Sequence, residues 1–294
     1  MLNIINLHKS FSDKKVLNGI NLEIKEGSIF GLVGINGSGK STLLRCISGV
    51  YEADSGMVMF NERNTFKEAN IRKDIIYVSD DSYFPGNSTI HTLKDLYDSF
   101  YELDDERYNK YLKLFDLNEH KQISNFSKGM KRQTSLLFAL AIKPKLLLLD
   151  ECFDGLDPVV RLTFKKALVD LLEDEKTTVI ISSHNLKELE DVCDSYGILD
   201  NGVIETYGDL LESKDNIAKF QLAYKRERKK EDFANYNLLS YKQEGKITTL
   251  VIKGNIDEAR KKLEKTKPIY MDQIPVSFEE LFIYEVESRG NKDE

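Results

Sequence analysis

The chain is poor in the residues that knit crosslinked or metal-bound folds. Three of its 294 residues are cysteine, Cys46, Cys152 and Cys193. They are odd in number and scattered, with no C-x-x-C and no cysteine–histidine grouping. That excludes a disulfide framework and a zinc-finger type of site, and it points to free thiols in a reducing compartment. No apolar run approaches the roughly 20 residues needed to span a bilayer. Residues 1–6 lack the charged-then-apolar layout of a signal peptide. A cytoplasmic protein is expected, one that meets a membrane only through a partner. Positive charge is also short: 42 Lys and Arg against 49 Asp and Glu leave a net charge of −7. A surface that coats nucleic acid needs the opposite balance, so no nucleic-acid partner is expected.

What is present is sharper. Residues Gly34-Ile35-Asn36-Gly37-Ser38-Gly39-Lys40-Ser41-Thr42 meet the pattern G-x-x-x-x-G-K-[ST]. The apolar run 28–33 before them suits a buried strand, and 41–47 suits the first turns of a helix. Glycines let the backbone turn so that successive N–H groups point at phosphate oxygens. The helix N-terminus adds partial positive charge. Lys40 can then reach the β- and γ-phosphates, and the Ser41 hydroxyl can ligate Mg²⁺.

Short alternating segments at 2–7 and 20–24 precede the loop and read as strands; 57–60 and 74–78 follow it. From about 89 to 143 the pattern turns helical. Ser88 or Thr89 can cap a helix with the apolar face Ile90, Leu93, Leu96, Tyr97 and Phe100. A second helix carries Tyr108, Tyr111, Leu112, Leu114 and Phe115, and a third starts near Ser127 and runs to Pro144. Strand character returns at 145–150, a helix is expected over 159–173, and a strand over 178–183. Strands alternating with helices argue a parallel α/β sheet. A boundary is expected near 210–218. Beyond it the pattern predicts strand 219–225, helix 226–235, strands 237–243 and 246–253, helix 256–264 and strand 268–273. That is the β-α-β-β-α-β order of a ferredoxin-like domain. A last helix over 277–288 carries Phe278, Leu281, Phe282 and Glu285 at helical spacing.

The run Leu147-Leu148-Leu149-Asp150-Glu151 is a second phosphate-handling signature. A buried strand ends in two adjacent carboxylates, at the edge where open α/β sheets bind ligands. Asp150 would hold Mg²⁺, directly or through water, and Glu151 would act as general base on the attacking water.

Between these elements lies Asn125-Phe126-Ser127-Lys128-Gly129-Met130. Here the chain resembles the ATP-binding cassette (ABC) ATPases, whose signature Leu-Ser-Gly-Gly-Gln opens a helix shortly before the carboxylate pair. Ser127 and Gly129 keep the serine and second glycine, while Lys128 and Met130 replace the first glycine and the glutamine. The Ser-Lys-Gly-Met form resembles that of bacterial exporter ATPases. The resemblance covers residues 1 to about 215 in six ordered elements.

The resemblance implies a P-loop ABC-ATPase core with an N-terminal antiparallel β subdomain and a helical insertion at about 89–143. A small α+β ferredoxin-like domain over 216–294 would follow the core at 1–215. It implies that Phe11 stacks on adenine, that His184 contacts the γ-phosphate, and that Asp157 belongs to a loop through which two protomers communicate. Where the family has a glutamine after strand 74–78, this chain has Asp80, or Asp81 with a one-residue shift; a carboxylate there could still approach Mg²⁺ or water. The implied protein is the ATP-hydrolysing subunit of a transporter, peripheral on the cytoplasmic face of the membrane. It would bind ATP and Mg²⁺, pair head to tail as a homodimer or heterodimer, and energise export by a separate transmembrane permease subunit. A soluble ABC-type ATPase without a transport role is the alternative. A small-molecule kinase or GTPase with the same loop fits the signature helix and His184 poorly.

Overall fold

The computed structural model describes residues 1–290, with side chains up to Tyr284 except those of Leu211 and Lys214. It divides into two compact units, 1–207 and 208–294. The first unit begins with an antiparallel sheet. Strands β1 (Leu2–Phe11) and β2 (Lys14–Ile24) form a hairpin, and β1 pairs on its other side with β4 (Ser55–Phe60), which carries the short β5 (Arg63–Asn64). A second sheet is built from β3 (Ile29–Val33), β6 (Ile75–Val78), β7 (Leu146–Asp150), β8 (Thr178–Ser183), β9 (Ser195–Asp200) and β10 (Val203–Asp209), in the order β10-β9-β3-β8-β7-β6. The neighbouring pairs from β9 across to β6 are parallel. β9 and β10 have no counterpart in the sequence reading. β9 is short, and its apolar residues are broken by Gly197, whose backbone lies against the ring of Phe30.

The core explains the leucine run. Leu146 and Leu148 of β7 pack with Ile180 of β8, Phe30 and Leu32 of β3, and Leu43, Leu44 and Ile47 of α1 (Lys40–Ile47). The inner face of the antiparallel sheet, including Leu2, Ile4, Leu22 and Phe60, closes the same cluster. Leu147 and Leu149, which point the other way along a strand of period two, are equally buried. A strand covered on both faces can be apolar throughout.

The helical insertion holds α2 (Ile90–Asp98), α3 (Asp105–Leu114) and α4 (Lys128–Ile142). Thr89, Asp104 and Ser127 cap them, each with a side-chain oxygen accepting a backbone N–H of the first turn. The expected face of α2 needs correction. Ile90 and Leu93 are buried, but Leu96 is 49% exposed and Phe100, beyond the helix end, is 67% exposed. A nine-residue helix against α4 covers only part of a wide apolar stripe. Downstream, α5 (Pro158–Glu175) is capped by Asp157, whose Oδ1 accepts from Val159 N and Val160 N at 2.9 and 3.0 Å. The short α6 (Leu186–Glu190) follows β8. Among the described residues, no helix is long and apolar enough to cross a membrane. All three cysteines are buried and free, and burial raises the Cys46 thiol to about 11.

The second unit contains α7 (Leu210–Asp215), β11 (Ile217–Ala223), β12 (Leu238–Glu244), β13 (Ile247–Lys253), α8 (Ile256–Lys265), β14 (Tyr270–Ile274) and α9 (Phe278–Gly290). Its sheet has the order β12-β13-β11-β14 with antiparallel neighbours, which is the ferredoxin-like arrangement. One expected element is corrected. The helix over 226–235 is a single 3₁₀ turn, Lys230–Phe233. The charged run before it offers no apolar stripe, so one turn suffices to place Phe233, 1% exposed, in the core with Phe220, Leu250 and Leu263. Phe278 and Leu281 of α9 are buried, Phe282 is partly so, and the side chain of Glu285 lies outside the described residues.

Two stability predictions follow from burial and capping. Leu148→Ala should cost about 2–5 kcal/mol in denaturant unfolding. Leu162→Ala, on the exposed side of α5, should stay within about 0.5 kcal/mol; equal losses would refute this core. Asp157→Ala should cost about 1 kcal/mol, and Asp157→Asn should recover most of it, because asparagine caps as well.

Candidate nucleotide site

Three loops meet at one edge of the parallel sheet because β3, β7 and β8 are adjacent and in register. Val33 pairs with Ser183, and Asp150 with Ser182. The phosphate loop follows β3, Glu151 follows β7, and His184 follows β8.

In the phosphate loop, Gly39 is the N-cap of α1 with φ 111°, a conformation that side chains rarely adopt. A Cβ there would also stand 3.1 Å from the Val16 carbonyl of β2. The backbone conformation favours glycine, and the tight approach to β2 adds to it. Gly34 is buried, Ile35, Asn36 and Gly37 are exposed, and Ser41 and Thr42 are partly buried in the first turn of α1. The Ser38 hydroxyl is buried without a partner. Leaving such a group unsatisfied costs about 1–3 kcal/mol. A phosphate oxygen accepting from it, beside a helix N-terminus, removes that cost, so these residues fit a phosphate group.

Lys40 is 5% exposed. Its Nζ donates to Gly34 O at 2.7 Å and Ile35 O at 3.3 Å, and lies 3.3 Å from Glu151 Oε1. The other oxygen of Glu151, Oε2, is 2.9 Å from His184 Nδ1. A carboxylate only accepts, so Nδ1 carries the proton. One carboxylate thus bridges the residues of the other two loops. Glu151 has φ 48°, and its N–H donates to Ser182 O and Oγ, each at 3.1 Å. That strained turn separates the paired carboxylates. Asp150 stays in the strand, 1% exposed, with Oδ1 accepting from Ser182 Oγ at 2.6 Å and Oδ2 from Tyr77 OH at 3.0 Å. Burial, together with the Asp150 charge, raises the Tyr77 phenol, which stays protonated and donates. A carboxylate so placed, with Ser41 on α1, is an all-oxygen donor set of the kind magnesium takes.

Other expected residues stand apart from this group. Ser127 is exposed at the N-terminus of α4, its Oγ accepting from Met130 N at 3.2 Å. Gly129 abuts the turn after the carboxylates: a Cβ there would lie 2.8 Å from Gly155 O. Among the described residues, no hydrogen bond or ion pair joins Ser127 or Gly129 to Lys40, Glu151 or His184. Phe11, 42% exposed at the tip of the β1–β2 hairpin, meets the Tyr51 ring edge-on, with Lys9 Nζ 5.4 Å from its centroid. Asp157 caps α5. Asp80 accepts from Arg132 rather than meeting the phosphate loop.

Three participants escaped the sequence reading. Asp154 lies with Glu151 and His184 so that one ligand atom of each falls within 4.8 Å of the others. Arg132, on α4, is nearly inaccessible and bonds the chain at both Asp80 and the carboxylate pair. Arg161, on α5, donates to Phe153 O and Leu156 O at 3.3 and 3.5 Å and pairs with Glu188 Oε1 at 3.0 Å. Glu188 in turn accepts from Ser183 Oγ, one residue before His184. Burial raises the Glu188 carboxyl, against the pull of Arg161. For Asp154, its place three residues after Glu151 was the available signal. Nothing local marks either arginine.

The chain is similar to known proteins. The ABC transporter family model matches residues 17–154. The chain is 32% identical over 284 residues to the ABC transporter ATP-binding protein YtrB of Bacillus subtilis (strain 168), covering 96% of this chain and 97% of that protein. A methionine import ATP-binding protein, MetN of Clostridium tetani (strain Massachusetts / E88), is 31% identical over 228 residues, 71% of this chain and 70% of its own. A lantibiotic transport ATP-binding protein, SrtF of Streptococcus pyogenes, is 28% identical over 232 residues, 78% of this chain and 100% of its own. A solved ATP-binding subunit of an ABC transporter is similar in structure, with a TM-score of 0.67, 26% identity, and coverage of 73% of this chain and 92% of that one. With that relation running along nearly its whole length, the chain belongs to the ATP-binding subunits of ABC transporters.

Proposed function

We propose that this protein hydrolyses ATP to energise a membrane permease carried on a separate chain. The observation that carries the reading is Glu151, held between Lys40 at 3.3 Å and His184 at 2.9 Å. A phosphate-binding lysine and a histidine, each from a different loop, converge on the carboxylate that serves as the general base.

In this reading the loop of Gly34, Asn36, Gly37, Ser38, Gly39 and Thr42 wraps the phosphates of ATP, and Phe11 stacks on adenine. Lys40 binds the β- and γ-phosphates. Because Lys40 is paired with Glu151 Oε1, an arriving phosphate competes for the ammonium and releases the carboxylate. Glu151 then takes a proton from the attacking water, and His184 contacts the γ-phosphate. Ser41 and Asp150 would hold Mg²⁺, which would supply charge neutralisation on the phosphates.

Ser127 and Gly129 serve the ATP of a second protomer, a reading supported by their place at an exposed helix start away from Lys40. Two-fold symmetry makes that contact reciprocal, with Asp157 in the loop between the sites. The pair is a homodimer or a heterodimer of ATP-binding subunits. Residues 1–215 are the ATP-binding domain and 216–294 an accessory domain. Leu96 and Phe100, exposed by 49% and 67%, give the helical insertion apolar surface for the permease, on the cytoplasmic face of the membrane, and Tyr83, 88% exposed, lies in the loop that precedes it. Export of a peptide, drug or similar amphipath is the direction we propose, on the Ser127-Lys128-Gly129-Met130 form of the signature; the relatives include both a lantibiotic transport protein and a methionine import protein.

Glu151→Gln should keep ATP affinity and lower hydrolysis by about 10²–10⁴; native turnover in that variant rejects Glu151 as the base. Lys40→Ala should weaken ATP binding measured by calorimetry, and an unchanged affinity counts against its assignment.

A further inference from the structure

Asp80 stands where the resemblance places a glutamine, and Arg132 is what it meets. Arg132 is 2% exposed, and a guanidinium so deeply buried needs a counter-charge. Its Nη2 donates to Asp80 Oδ1 and to Asp80 O, each at 2.7 Å. Its Nη1 donates to Asp150 O and Glu151 O, each at 3.1 Å. Among the described residues, Asp80 is the one carboxylate within ion-pair distance of it. One side chain thus joins the loop after β6, the end of β7 and helix α4. A second link runs beside it: Ser135 Oγ, nearly one turn further along α4, donates to Ser82 Oγ at 2.9 Å.

The two residues are matched in charge. A carboxylate in this loop without Arg132 would repel the phosphates of ATP. Glutamine there without a change in Arg132 would leave a buried cation unpaired. We infer that Asp80 is a positioning residue, not a magnesium ligand. Through Arg132 it fixes the carbonyls of Asp150 and Glu151, which sets the aim of the Glu151 carboxylate. It also makes the loop after β6 move as one body with the helix that Ser127 opens. This inference rests on the proposed hydrolysis for the reaction that is being aimed.

The test uses the full-length purified chain and three variants: Asp80→Gln, Arg132→Gln and the double variant. ATP turnover, KM for ATP and the Mg²⁺ concentration for half-maximal rate are measured for each. Each single variant should lose about tenfold or more in kcat, with KM and Mg²⁺ demand within about threefold. The double variant, with neither charge, should regain most of that kcat. A tenfold rise in Mg²⁺ demand for Asp80→Gln overturns the inference, as does a double variant no more active than the worse single. If a single variant fails to fold, Arg132→Lys replaces it. Lysine keeps the charge but lacks the planar fork for four acceptors, so kcat should fall while ATP affinity holds; full native kcat overturns the inference. If the native chain does not hydrolyse ATP, the proposed function falls and thermal melting still decides the pair. The double variant should melt above both single variants, and melting below both overturns the pairing.

Discussion

The Glu151 carboxylate is the joint on which the site depends. Its two oxygens engage a buried ammonium and an imidazole that come from different loops. The imidazole is exposed to solvent, but the ammonium is otherwise poorly satisfied. Lys40, 5% exposed, has only the carbonyls of Gly34 and Ile35 to offset its charge, and partial dipoles do not neutralise a buried cation. The carboxylate completes that neutralisation. The same oxygen that stabilises the lysine is the one a base must have free. In the proposed reaction, binding of a phosphate and exposure of the base are therefore one exchange of partners, governed by a single ion pair.

Such a joint exists because of strand order. β3, β8 and β7 lie side by side and parallel, so the chain leaves all three at the same edge. No long loop is needed to bring Lys40, His184 and Glu151 together; each sits within a few residues of a strand end. The buried leucines of β7 and the isoleucines of β8 hold those ends in register. The cost falls on local backbone. Glu151 adopts a left-handed conformation and is pinned by Ser182, whose hydroxyl also donates to Asp150.

Much of this was legible because the chemistry is contiguous. The phosphate loop, the carboxylate pair, the Ser127 cap and the strand before His184 each occupy a short run whose residue types state their own geometry. The ferredoxin-like order was readable from periodicity for the same reason. What stayed hidden depends on contacts distant in sequence. Arg132 and Asp80 are 52 positions apart, and neither residue type announces the other. The helix expected over 226–235 shrank to one turn because charge density there says nothing of how little apolar surface must be covered. Leu96 and Phe100 fit the helical spacing, yet periodicity does not reveal how far a neighbouring helix extends.

Gly129 and Gly155 touch through backbone, with no side chain between them. A side chain is compliant: it can change rotamer and absorb a shift of half an ångström. Main chain against main chain has no such slack, because its spacing is set by atomic radii. The start of α4 and the turn after the carboxylates therefore behave as two bearing surfaces in direct contact. A displacement that presses one onto the other is passed on with little loss, and in the proposed dimer the helix that meets a neighbouring protomer carries the local geometry of the edge that holds Glu151.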